Sequence, residues 1–215
     1  MKFDSRDVTS TAVFAALYVV INIVQTISVG NPTIYGPIQL RVADFMIALA
    51  ALFGWPIIGG VTLGCFLTNA YYFIGAPDVI LGPIANLIAA CLVLFLRKRR
   101  LLACVVGALP IGFIVGGYLW LVFGFQPPEV LSALPAWAAM IASITISSLI
   151  AVAVIGYALL SVLSRPGIIE PLKSRGLKVV TKNDYARNLS SFVNPMISSK
   201  LKPSASKTWS KVECR

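Results

Sequence analysis

The chain has 215 residues, of which 58% are hydrophobic and only 12% charged, and its mean hydropathy is +0.85. A typical soluble domain carries about 25% charged residues and about 45–50% apolar ones, so a water-soluble globular fold is excluded. The formal charge of +10 is not spread evenly, because the span from Asp7 to Leu163 sets Arg41, Arg97, Lys98, Arg99 and Arg100 against Asp7, Asp44, Asp78 and Glu129.

The opening residues 1–7 carry both signs of charge and are too short for a cleaved signal with its processing site, so they read as a cytoplasmic lead. The pattern then predicts an all-α integral membrane protein, a bundle of six transmembrane helices over residues 8–164. A spanning helix needs about 20 mostly apolar residues, because its backbone groups must be satisfied within the segment. The first predicted span runs from Val8 to Ser28 and the second from Val42 to Trp55, a length that reaches only part way across. The third covers Ile57–Gly75, the fourth Val79–Leu96, the fifth Leu102–Phe125 and the sixth Ala136–Leu163. Proline and glycine mark the breaks, at Gly30-Asn31-Pro32, Gly36-Pro37, Gly54-Trp55-Pro56, Gly75-Ala76-Pro77 and Gln126-Pro127-Pro128. Proline lacks the N–H that a continuing helix uses and biases the residue before it away from helix.

Orientation follows from the loops. Lys2 and Arg6 precede the first span, Arg97 to Arg100 lie between the fourth and fifth, and a basic tail follows the sixth. With six spans these fall on one face, which the positive-inside rule assigns to the cytoplasm together with both termini. The tail, residues 165–215, holds eleven Lys or Arg against three acidic residues. Its polar composition reads as flexible, and beside a membrane domain its charge fits topology and anionic lipid better than nucleic acid.

Charged and polar groups at bilayer depth are costly and propose a site. Gln39, Arg41 and Asp44 enter the second span from outside, and on a helix Arg41 and Asp44 would share a face and could pair. Arg41 as a headgroup anchor neutralised by Asp44 stays open beside ligand contact. A second cluster comprises Asn69, Tyr71 and Tyr72 near the outer end of the third span, then Asp78 and Asn86 on the fourth. Amide, carboxylate and aromatic groups of this kind suit a small planar heterocycle. The tyrosines equally suit an interfacial belt, and Asp78 a helix N-cap. Tyr118, Trp120 and Trp137 are weaker candidates.

Small residues four apart recur at Ala12 and Ala16, Gly60 and Gly64, Ala85 and Ala89, Gly112 and Gly116, and Ala138 and Ala142. Such pairs let helices approach closely in lipid, and most read as internal packing. Ala12, Ala15 and Ala16 form a smooth stripe that could instead meet a partner. Cys65, Cys91, Cys104 and Cys214 lack metal spacing and histidine is absent, so neither a metal nor another cofactor is expected. Phosphate-loop, zinc-protease and nucleophile-elbow motifs are missing, so no enzyme activity is expected. A transporter of this kind would draw on an ion gradient or on another subunit.

The first-span alanines, the string YGPIQLRVADFMIAL, the glycine-rich third span ending in Asn69, the string PDVILGPIANLIAA and the basic run after the fourth span together resemble the QueT family. The resemblance covers Thr9 to Leu163, while Asn86 and the long tail depart from the usual form. It implies the substrate-capturing S component of an energy-coupling factor importer for queuosine precursors, such as 7-cyano- or 7-aminomethyl-7-deazaguanine. It further implies an EcfT-like transmembrane subunit docked on the alanine stripe, ATPase subunits that supply energy, and ligand contacts from Gln39, Arg41, Asp44, Asn69 and Asp78. An S component for another vitamin, a stand-alone ion-coupled carrier and a non-transport scaffold are the alternatives.

Overall fold

The computed structural model describes residues 4–29, 40–124, 131 and 133–174, all of whose regular elements are helical. They are α1 (Ser5–Val29), the short α2 (Val42–Phe53), α3 (Trp55–Tyr71), α4 (Ala76–Leu96), α5 (Arg100–Phe123), α6 (Ala136–Leu163) and α7 (Pro166–Ser174). Among the described residues α1, α4, α5 and α6 are long and apolar enough to cross a membrane. With 17 residues, α3 lies at the lower end of the length that spans hydrocarbon, which begins at about 17 residues. Large apolar side chains such as Val24, Phe95, Phe113, Leu121 and Val154 point outward, as a bundle bathed in lipid requires.

The expected boundaries shift by a few residues. The second predicted span stops at Phe53 rather than Trp55, because Gly54 turns the chain at φ 68° and ψ −133°, a conformation open essentially to glycine. Trp55 then opens α3, with Pro56 in its first turn, where the missing N–H costs nothing. At its other end α3 stops at Tyr71, short of Gly75, and α4 begins at Ala76 rather than Val79. Asp78 therefore lies inside the first turn of α4 and does not cap it. Pro83 and Pro110 sit within α4 and α5, which neighbouring helices make tolerable in a membrane.

The short second segment, α2, lies deep in the bundle. Every residue from Met46 to Gly54 is buried, so α2 is not a lipid-facing span but the centre of the bundle. A helix apolar on all sides is stable only when surrounded, and at about 1.5 Å per residue α2 is only about 18 Å long. It begins as a 3-10 turn at Val42–Asp44 and continues through two short α segments. Around it α3, α4, α5 and α6 pack, chiefly each on its neighbour in the chain, while α1 lies mainly on α3.

Glycines make the closest of these contacts. A Cβ at Gly60 would lie 2.6 Å from Phe14 Cβ, and one at Gly64 2.7 Å from Tyr18 Cβ, so the α1–α3 interface depends on both. On the opposite side Gly112 and Gly116 of α5 receive Thr145 and Ile141 of α6. Halfway along, α6 widens into a π-helix, Leu149–Gly156, whose Gly156 rests against Phe45 and Ala48 of α2.

Candidate functional site

One face of α1 is polar inside an otherwise apolar helix: Ala15, Tyr18, Asn22 and Gln25 are its buried residues, spaced so that they lie along one stripe. Gln25 fixes the approach to α2. Its Nε2 donates to the Leu40 carbonyl at 2.5 Å and its Oε1 accepts from the Val42 N–H at 2.9 Å. Between these anchors Arg41 is extended, at φ −83° and ψ 102°. The helix begins only after it, which sends Arg41 and Asp44 in different directions and overturns their expected pairing across one helical turn.

Asp44 instead meets α1 and α4. Its Oδ1 accepts from the Tyr18 hydroxyl at 2.6 Å and from Asn86 Nδ2 at 3.4 Å, and the same amide nitrogen donates to Tyr18 Oη at 3.1 Å. Arg41 reaches toward α3 and α4, where Nη1 donates to Cys65 Sγ at 3.5 Å and Nη2 lies 3.9 Å from Asp78 Oδ1. Asp78 Oδ1 also accepts from the Tyr118 hydroxyl of α5 at 2.5 Å, while the Asp78 carbonyl accepts from Asn69 Nδ2 at 2.8 Å. Gly82 leaves room for that amide, since a Cβ there would lie 2.5 Å from Asn69 Nδ2.

Burial decides how this cluster is read. Arg41 is 8% exposed, Asp44 4% and Asp78 0%, so the headgroup-anchor reading of Arg41 fails: its guanidinium lies inside the bundle. Among the described residues Arg41 Nε and Nη2 and Asp78 Oδ2 have no hydrogen-bond partner, although buried polar groups are normally paired. Beside the guanidinium, Arg41, Asp44, Gly82, Asn86, Ile111, Val115, Ile144 and Ser148 line a void of about 10 Å³, the room of a single water molecule. Cationic, anionic, amide and hydroxyl groups thus line it together with aliphatic side chains, a combination suited to a flat ring with hydrogen-bonding edges.

Of the sequence candidates, the structure brings together Arg41, Asp44, Asn69, Asp78, Asn86 and the weaker candidate Tyr118. Tyr71 is apart from them, 76% exposed and edge-on to Tyr72 at 4.8 Å; Trp137 is exposed and Trp120 half-buried. Gln39 lies outside the described residues. Tyr18, Asn22, Gln25, Cys65 and Ser148 join the cluster unannounced. The polar stripe on α1 was a legible signal, whereas Cys65 passes in sequence for a small apolar residue. Nor do the three alanines share a surface: Ala15 is buried against α3, with its backbone within 3.3 Å of a Cβ at Gly60, while Ala12 and Ala16 face outward.

A bundle that is helical throughout its described residues, with an apolar exterior and a buried polar cluster, defines a multi-pass membrane protein. Within that class, the model of the QueT transporter family matches residues 8–165, and the chain belongs to that family. It is therefore a membrane transport protein of a family of transporters rather than of enzymes. No curated protein and no solved structure matches the chain.

Proposed function

We propose that this protein is the substrate-binding S component of an ATP-driven energy-coupling factor importer and captures a 7-deazaguanine such as the 7-cyano or 7-aminomethyl compound. The observation that carries the reading is the buried set Arg41, Asp44 and Asn86 around one void, with guanidinium donors left unpartnered. A deazaguanine offers an N–H and NH₂ edge that a carboxylate accepts and a carbonyl that a guanidinium donates to. Tyr18 and Asn86 hold Asp44 in place, and Asn69 and Tyr118 hold Asp78. A bicyclic ring exceeds the present void, so binding parts the lining of α4, α5 and α6. Gln39 and Tyr71 are the remaining residues of the proposed site.

In this reading the six predicted segments form the membrane domain 8–164, with α2 immersed rather than spanning. The cluster lies toward the outside, and residues 1–7, Arg97 to Arg100 and the basic tail from 165 are on the cytoplasmic side of the membrane. An EcfT-like subunit with two ATPases supplies the energy and docks on the α1 surface bearing Ala12 and Ala16.

Titrating the purified chain with deazapurines, guanine and common vitamins, read by tryptophan fluorescence, tests the proposal. Submicromolar binding of a deazapurine that is lost in Asp44→Ala is the expected result. Uptake by this chain without ATPase subunits, with no deazapurine bound, would mean a stand-alone carrier.

A further inference from the structure

We infer that residues 111–123 of α5 and Ala136–Ser148 of α6 form one flap, hinged at Pro110 and at the π-helix of α6, that swings from the bundle to open the void. This rests on the binding reading above only in that a ligand enters the void, and it adds which wall moves to admit it.

Close backbone contacts divide each of the two helices into a half that is joined to the other and a half that is anchored elsewhere. A Cβ at Gly112 would lie 2.9 Å from Thr145 Cα, and one at Gly116 2.7 Å from Ile141 Cα, so these stretches of α5 and α6 are clasped together. The first half of α5 is held by α4 instead, since a Cβ at Gly107 would lie 2.5 Å from Val93 Cγ2 and 3.3 Å from the Ala89 carbonyl oxygen. The second half of α6 is held by α2, since a Cβ at Gly156 would lie 2.8 Å from Ala48 Cβ and 2.9 Å from the Phe45 carbonyl oxygen.

Between the clasped and the anchored halves, each helix has a break in its hydrogen-bond ladder. In α5 it is Pro110, which has no N–H to give the preceding turn. In α6 it is the π-helix Leu149–Gly156, a change of ladder at which helices bend. In the register set by the Gly112 and Gly116 contacts Pro110 lies level with Ser147, so the two breaks fall within a turn of each other. Paired hinges at one level let the joined halves move as a unit, whereas a hinge in one helix alone would tear the clasp.

The void lies against the moving side. Ile111, Val115, Ile144 and Ser148 line it from α5 and α6 and all belong to the flap, while the remaining lining comes from α2 and α4. At about 10 Å³ the void has the room of one water, so anything larger must displace a wall. Two contacts latch the flap to the start of α4. The Tyr118 hydroxyl donates to Asp78 Oδ1 at 2.5 Å, and the Phe123 ring covers Gly75, where a Cβ would lie 2.7 Å from Cε1.

The test reads opening without a ligand, in the full chain in lipid nanodiscs. Val115→Cys places a thiol in the lining, and methyl methanethiosulfonate, small and uncharged, reaches it when the flap opens. Native Cys104, fully buried on the anchored half of the same helix, reports general loosening, and mass spectrometry follows both thiols. Tyr118→Phe and Phe123→Ala, each added to Val115→Cys, should speed modification of the introduced thiol about tenfold, the change expected when one buried hydrogen bond or comparable contact is lost. Cys104 should keep its rate. Pro110→Ala restores the ladder and should slow the introduced thiol several-fold. If one latch variant fails to fold, the other decides. A rate at position 115 indifferent to the latch variants or to Pro110→Ala, or an acceleration shared by Cys104, overturns the flap. Should a deazapurine bind while that thiol stays indifferent, the binding reading stands and the flap alone fails. Flap behaviour as described, with no deazapurine bound, overturns the binding reading alone.

Discussion

The Tyr18 hydroxyl on α1 donates to Asp44 Oδ1 at the head of α2, at 2.6 Å and across 26 residues of sequence. Through this bond the outermost helix of the bundle orients a carboxylate at its centre. Tyr18 is fully buried, so the bond is made away from water and removing it leaves the carboxylate short of a donor.

Tyr18→Phe keeps the ring and deletes only that donor. Hydrogen bonds within membrane bundles average about 0.6 kcal/mol, but an under-satisfied buried acceptor costs about 1–3 kcal/mol and more when charged. The larger range should apply, giving a lower unfolding temperature in detergent together with weaker deazapurine binding. A variant that melts and binds like the wild type would show that Asn86 alone suffices to hold Asp44.

Gly64→Ala tests the same relationship without touching a polar group. The new Cβ would lie 2.7 Å from Tyr18 Cβ and 3.0 Å from the Ala15 carbonyl, so α1 must retreat from α3 and draw the Tyr18 hydroxyl off Asp44. Overpacking of this sort costs about 1–3 kcal/mol. Ligand affinity should fall although residue 64 is not in the void's lining. Gly117→Ala, with none of the described residues within 4 Å, is the control and should melt and bind normally.

Gly54→Ala addresses the turn that ends α2. At φ 68° and ψ −133° a residue with a Cβ is strained by roughly 1–3 kcal/mol, and the strain falls on the junction of α2 and α3. Lower thermal stability with deazapurine binding intact is expected. An unchanged melting curve would mean that the turn relaxes to another conformation at no cost.

These residues also show what the sequence carried and what it did not. Hydropathy located every long helix because the demand for about 20 apolar residues acts on composition alone. It could not tell a lipid-facing span from the buried α2, since both are apolar and only the packing of the other helices distinguishes them. Arg41, Asp44, Asp78 and Asn86 were legible because a charge or amide at such depth needs a reason. Their partners were less so: the pairing of Arg41 with Asp78 instead of Asp44 depends on an extended residue held by Gln25, a contact that local spacing does not encode. Tyr71 illustrates the converse, a residue adjacent in sequence to the site but carried outward by the end of α3.

The alanines of α1 allow the docking proposal to be separated from internal packing. Ala15 is 3% exposed, and its backbone meets the Gly60 and Gly64 surface of α3, whereas Ala12 and Ala16 face away from the bundle. Ala15→Leu should overpack the interface, at a cost of about 1–3 kcal/mol, and lower both stability and ligand binding in the isolated chain. Ala12→Leu with Ala16→Leu should leave the isolated chain's melting and deazapurine affinity unchanged, because bulk added there projects outward. If that surface receives the transmembrane subunit, the double variant should nonetheless fail to co-purify with it and lose ATP-driven uptake, since a stripe of small residues is what admits a second helix closely. Normal co-purification and uptake by the double variant would move the docking surface elsewhere and leave Ala12 and Ala16 as ordinary lipid-facing residues.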